Sequence, residues 1–220
     1  MATHPTPPSS DVVETELAFS STHVSQSATD LLAILRSEVL MACWQRRLAK
    51  PLTDWLDALP DEQLPQLRAQ GCTDELSDAI DTALASLRMA HPEAMELFRQ
   101  DLRRLLAVFV SLSQNTRLRL RIERIDNDAC RKWHQDWTAL RLLCTYRGSG
   151  TQWVVPQDSE EALRTPDQDH PRQRQLQRGD VALLKGRGQD PHSPLPSVVH
   201  RSPRHFQTQA SRLLLVMEPA

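Results

Sequence analysis

Around Asn115 the hydrophobic rhythm of this chain changes period, and that switch limits the folds open to it. Before it, Met95, Leu97, Phe98, Leu102, Leu105, Leu106, Phe109 and Val110 recur at three- and four-residue intervals behind His91-Pro92-Glu93. That spacing winds apolar groups into one stripe of an α-helix, and such a stripe exists to be buried. After it, Leu118, Leu120 and Ile122 alternate with Arg117, Arg119 and Arg121, which is the period of a strand with one wet face.

The same reading extends both ways. Upstream, Asp30 is placed to cap a short helix through Leu31, Leu32 and Leu35, and Glu38–Trp44 reads as a buried strand. Pro51 opens an amphipathic helix carrying Leu52, Trp55, Leu56 and Leu59, and Thr73 opens another with Leu76, Ile80, Leu84 and Leu87. Downstream the expected strands are Leu118–Ile125, Leu140–Arg147, Thr151–Val155, Val181–Lys185, Ser197–Val199 and Ser211–Met217. Two loops interrupt them. Gln157–Arg178 is too long for a turn and is either a mobile lid or an irregular insertion, and Gly186–Pro196 is punctuated by Gly and Pro. Residues 1–29 are polar and read as a disordered tail, leaving one domain over 30–220 with a mainly helical part at 30–114 and a β part at 115–220.

Composition removes several functions. With 26 basic against 28 acidic residues, the net charge of -2 offers no field for nucleic acid or an anionic membrane. No apolar run approaches the ~18 residues of a membrane span, and no signal peptide is visible at the N-terminus. Cys43, Cys72, Cys130 and Cys144 form neither a CxxC pair nor a disulfide framework. A reducing, cytoplasmic location is expected.

The chemistry concentrates after Cys130. His134 and Asp136 are two residues apart just before a strand, so both side chains point to one side. His200, ahead of the last strand, supplies a third donor of suitable type. Two imidazoles and one carboxylate on one face of a cation, with open positions opposite, suit non-haem Fe(II) chemistry. The bland alternatives are surface or hydrogen-bonded histidines. A second alternative adds Cys130, or Cys144 if it faces inward, to make a closed zinc site in a non-enzymatic zinc-binding or zinc-responsive protein. Cys144 shares a strand face with Tyr146, so the two face the site together or not at all. His170, His192 and His205 lie in polar loops and are expected to be solvated.

The order of these parts resembles the jelly-roll (double-stranded β-helix, cupin-like) core of the Fe(II)/2-oxoglutarate-dependent oxygenases. His134-Gln135-Asp136 matches that superfamily's H-x-D, and Gly148-Ser149-Gly150-Thr151-Gln152-Trp153 its glycine turn into the next strand. Gly179–Leu184 looks like the strand before the distal ligand, and Val199-His200-Arg201-Ser202-Pro203 like the distal His segment. More closely, Arg141–Gly148 with Gly150-Thr151 and Leu183-Leu184-Lys185-Gly186 resembles the bacterial domain-of-unknown-function 1826 family.

The resemblance implies an α+β protein, a helical N-terminal half packed on a C-terminal jelly roll. It implies His134, Asp136 and His200 as ligands of Fe(II), with 2-oxoglutarate as cosubstrate and a small molecule or protein side chain as substrate. Arg212, at the start of the last strand, is expected to hold the far carboxylate of the 2-oxo acid, with the Tyr146 hydroxyl beside it. The bland role for Arg212 is a pair with Glu218 or Asp180. Arg141 and Arg147 are expected to orient substrate or pair with an acid, and Trp133 and Trp137 to wall the pocket or simply pack.

Overall fold

A computed structural model describes residues 21–85, 91–128, 130–188, 197–204 and 211–220. Leu87, His192 and His205 lie outside the described residues.

The amphipathic segments become α1 (Lys50–Ala58), α2 (Thr73–Ala85) and α3 (Pro92–Ser113). Pro51 and Pro92 sit in first turns, where a missing N–H costs nothing. α3 ends where Gln114 adopts a left-handed conformation, with φ of 54°. Its stripe from Met95 to Leu112 is buried against one face of a seven-stranded sheet.

That sheet is made of β1 (Thr22–Ser25), β2 (Met41–Trp44), β3 (Leu67–Gly71), β4 (Leu118–Ile125) and β5 (Leu140–Arg147), with two later strands. A second sheet takes β6 (Gln152–Trp153), β7 (Arg174–Gln175) and β9 (His200–Arg201) in the order β7-β6-β9. β8 (Val181–Lys185) and β10 (Arg212–Pro219) complete the large sheet, ordered β1-β2-β8-β5-β10-β4-β3. Only the β1–β2 pair in it is parallel.

Side-chain parity then divides the core in two. On β5, Leu140, Leu142, Cys144 and Tyr146 join the helical side, and Leu213, Leu215 and Met217 of β10 do the same. The opposite face carries Leu143, Leu214 and Val216, which meet Trp153 and Val198 from the region of the small sheet. Helices, large sheet and small sheet are therefore three successive layers, and the candidate ligands lie between the two sheets.

Several expectations are corrected. Residues 22–25, placed in the tail, form β1 along β2, and residues 28–35 form a 3₁₀ turn that buries Leu31 and Ile34. β2 lies within the strand expected over Glu38–Trp44, and with β1 and β3 it gives the N-terminal half three strands in the large sheet beside its helices. Leu67–Gly71 is too short and too mixed to announce itself, and it is fixed by pairing with β4.

The segment from 157 to 178 is an ordered insertion containing α4 (Ser159–Arg164). Its Ala162 packs with Trp133, Val154 and Val199. His170 within it is buried beside Glu161, at 3.3 Å, rather than solvated. The four cysteines are free thiols. No helix among the described residues is long and apolar enough to cross a membrane.

Candidate metal centre

His134 and His200 are brought together by backbone alone. They form an isolated antiparallel bridge, with His134 N–H donating to His200 O at 3.1 Å and the reverse bond at 3.0 Å. Opposed residues in a bridge project to the same side, and the ring centroids lie 4.6 Å apart. Asp136 follows two residues after His134, and Arg187 N–H donates to its carbonyl at 2.8 Å. Gly186 allows that strap, since a Cβ there would sit 2.1 Å from the Thr138 carbonyl oxygen.

Both imidazoles are oriented by carbonyls that can only accept. His134 Nδ1 donates to Lys132 O at 2.8 Å, and His200 Nδ1 to Val198 O at 3.2 Å. Nδ1 therefore carries a proton in each ring, which turns each Nε2 inward. Burial lowers the His200 pKa to about 4, against the pull of Asp136, so this ring is neutral at physiological pH.

His200 Nε2 lies 3.4 Å from Asp136 Oδ2, and His134 Nε2 4.0 Å from Oδ1. One donor atom from each of the three residues falls within 4.8 Å of the others. Among the described residues, Asp136 Oδ2 is buried with no hydrogen-bond partner. A buried acceptor facing a neutral imidazole lone pair is unfavourable unless a cation lies between them. This donor set fits Fe(II), a metal that takes imidazole and carboxylate together.

Between the sheets, a cavity of about 100 Å³ is lined by His134, His200, Leu143, Val216, Thr151 and Ser202. Arg212 borders it through its partners. Its Nε donates to Ser149 O at 2.6 Å and its Nη1 to Ser202 Oγ at 2.9 Å, while Nη2 is 3.5 Å from Thr145 Oγ1 and 3.4 Å from Thr151 Oγ1. Gly148, at φ of 78°, turns the chain beside it, and a Cβ there would press on the arginine at 3.1 Å. Among the described residues no carboxylate pairs with Arg212, neither Glu218 nor Asp180. Burial lowers its pKa to about 10, which leaves the guanidinium charged at neutral pH. A charge this buried and lacking a counter-ion is costly, and a carboxylate ligand would relieve it.

The sequence matches a family profile described as "Protein of unknown function (DUF1826)" over residues 25–218. The chain belongs to the DUF1826 family. No protein of curated function matches it. Among solved structures, the rice dioxygenase for auxin oxidation aligns with a TM-score of 0.52 and 15% identity, covering 85% of this chain and 76% of that one. Its Arabidopsis thaliana counterpart, solved in complex with 2-oxoglutarate, aligns at 0.45 and 12%, covering 90% and 91%. HygX from Streptomyces hygroscopicus aligns at 0.43 and 12%, covering 88% and 87%. What the DUF1826 protein shares with the rice enzyme is a fold: mixed helix and sheet around one large sheet.

Several other expected site residues in this DUF1826 protein lie elsewhere. Tyr146 faces the helices, where its hydroxyl donates to Asp101 Oδ2 at 2.5 Å and its ring meets Phe98 edge-on. Parity takes Cys144 to the same side, and burial pushes its thiol up to about 12. Arg147 turns away to Leu59 O at 3.2 Å and Asp61 at 3.0 Å. Trp133 is buried, stacked under the Arg201 guanidinium at 4.2 Å and bonded to Gln168 O, so it holds the insertion rather than the pocket.

Trp137 does stand at the site. It is 66% exposed, under Arg187, in a cleft of about 540 Å³ that it lines with His134, Asp136, Arg141, Arg119 and Glu218. Arg141 binds acids: Asp136 Oδ1 through Nη1, and Glu218 Oε2 through Nε at 3.0 Å and Nη2 at 2.5 Å. Cys130 is exposed and borders the inner cavity, but its thiol is outside the three-residue cluster. Thr145, Thr151 and Ser202 were missed by sequence reasoning. Thr145 carried a signal, as a hydroxyl on an apolar strand with the parity of Arg141.

Proposed function

We propose that this protein is an Fe(II)- and 2-oxoglutarate-dependent oxygenase that hydroxylates a small molecule or a protein side chain. The observation carrying this reading is the convergence of two imidazole Nε2 atoms and an unpartnered buried carboxylate oxygen within 4.8 Å. His134, Asp136 and His200 would hold the metal, and three protein ligands leave room for exogenous ones. Ferrous iron with 2-oxoglutarate and O₂ supplies the oxidising equivalent, the 2-oxo acid losing CO₂ to become succinate while the substrate gains oxygen.

The chain's own contribution is orientation. Nδ1 bonds lock both imidazole tautomers, and Arg212, with the hydroxyls of Thr145, Thr151 and Ser202, offers the far carboxylate a charged, dry partner. The inner cavity suits the cosubstrate, and the outer cleft at Trp137 gives the substrate its approach. Leu143, Leu214 and Val216 keep water from the inner side.

The test is anaerobic purification, metal analysis, and assay of succinate formed from 2-oxoglutarate with Fe(II) and O₂. Iron uptake with turnover supports the oxygenase. Tightly held zinc without turnover, lost in Cys130→Ser, overturns it in favour of a zinc-binding protein.

A further inference from the structure

The carboxylate that would bind the metal is held from behind. Asp136 and Glu218 are both buried, and the half-buried Arg141 guanidinium lies between them. One edge of Arg141 takes Asp136 Oδ1, and the other takes Glu218 Oε2 through two nitrogens. Glu218 Oε1 is itself flanked by Arg119 at 3.7 Å and Arg121 at 3.8 Å, so the glutamate is fixed from a second direction. Glu218 also closes β10 on the face that begins with Arg212, so one rigid strand carries both the carboxylate anchor and this brace.

We infer that Glu218 is a positioning residue for Asp136, acting through Arg141, which engages Oδ1 and leaves Oδ2 alone to bind a divalent cation. The inference rests on the metal-site reading above. Its chemical sense lies in coordination number. A free carboxylate can rotate or chelate through both oxygens, and chelation would consume a position that an exogenous ligand needs. With Oδ1 committed to a charge-assisted bond, Asp136 is a one-oxygen ligand of fixed direction. Removing Glu218 frees Arg141 to swing, and Asp136 loses its brace without losing its charge.

The experiment titrates cobalt(II) chloride anaerobically into the full chain, reading the dissociation constant and the visible d–d bands, with thermal melting as a control. Glu218→Gln should weaken Co(II) binding about 10- to 100-fold, the usual cost of losing a partner behind a ligand, and should shift the bands as Asp136 changes its mode. In an Arg141→Gln background, Glu218→Gln should add nothing further, because its effect travels through that guanidinium. A purely structural Glu218 would lower the melting temperature and leave the Co(II) constant and spectrum of the folded fraction unchanged. That result overturns the inference. Should Glu218→Gln fail to fold, Arg141→Lys, which keeps a cation between the acids, decides on the same two readouts. If the wild-type chain takes up no Co(II), the metal-site reading fails and this one with it; if it binds and Glu218→Gln binds equally, only the brace fails.

Discussion

Replacing Arg212 by Met separates the cost of a buried charge from its use. Arg212 is 3% exposed, and among the described residues its guanidinium meets neutral oxygens, from Ser149, Ser202, Thr145 and Thr151. Exchanging this charge for a methionine of similar length removes a desolvation cost of several kcal/mol, which offsets the loss of its hydrogen bonds to neutral oxygens. The metal-free melting temperature of Arg212→Met should therefore match or exceed that of the wild type. Binding should move the other way. Two charge-assisted hydrogen bonds to the far carboxylate, at about 1.5 kcal/mol each, sum to about 3 kcal/mol, or roughly a hundredfold in affinity. In the wild type, 2-oxoglutarate with metal at 100 times its dissociation constant should add about 2.7 kcal/mol of stability, worth roughly 5–10 °C in melting temperature for a chain of this size. In Arg212→Met the same concentration is only about one dissociation constant, so the gain should fall to about 0.4 kcal/mol, roughly 1–2 °C. A 2-oxo acid lacking the far carboxylate, such as 2-oxobutyrate, should bind both proteins equally by calorimetry. If Arg212→Met still binds 2-oxoglutarate as the wild type does, or still prefers it to 2-oxobutyrate, the anchor assignment is wrong.

His134→Ala or His200→Ala should abolish Fe(II) and Co(II) binding, checked by metal titration, while circular dichroism stays native, because the backbone bridge joining these residues uses no side chain. Tyr146→Phe should leave 2-oxoglutarate affinity unchanged and cost about 1–2 kcal/mol in urea unfolding, because only its bond to Asp101 is lost. The metal-free protein should lose stability as pH falls from about 6.5 toward about 4. The unfolded chain protonates His200 in that window while the folded chain, with its pKa lowered to about 4, does not. Melting followed against pH should show this slope reduced in His200→Gln.

The sequence was most readable where one physical signal acted alone. α3 and β4 follow from periodicity, each with one face that must be buried, and β5 and β8 from short apolar runs that bury both faces. β1 and β3 were not readable, as their pairing partners, not their own residues, make them strands. At the site, the H-x-D spacing and the distal histidine pointed to residues that do meet. Tyr146 was misplaced although parity was available: it alternates with Thr145, and the strand face of Arg141, Leu143 and Thr145 is the one toward the small sheet. Arg141 is recognisable from sequence as a basic group near the candidate ligands. Its partner Glu218 lies 77 residues away, and only the β5–β10 pairing brings the two level.

Arg201 gives the 157–178 insertion an unexpected reach. Next in sequence to His200 and fully buried, it gathers Gln168 O at 3.0 Å, Gln173 Oε1 at 2.9 Å, Asp169 and Gln152 while lying over Trp133. The insertion is therefore tied by hydrogen bonds to the residue next to His200, the proposed metal ligand. Anyone grafting a foreign loop here to change what the protein accepts would also be re-aiming an imidazole, unless the stretch from Gln168 to Gln173 travels with the graft.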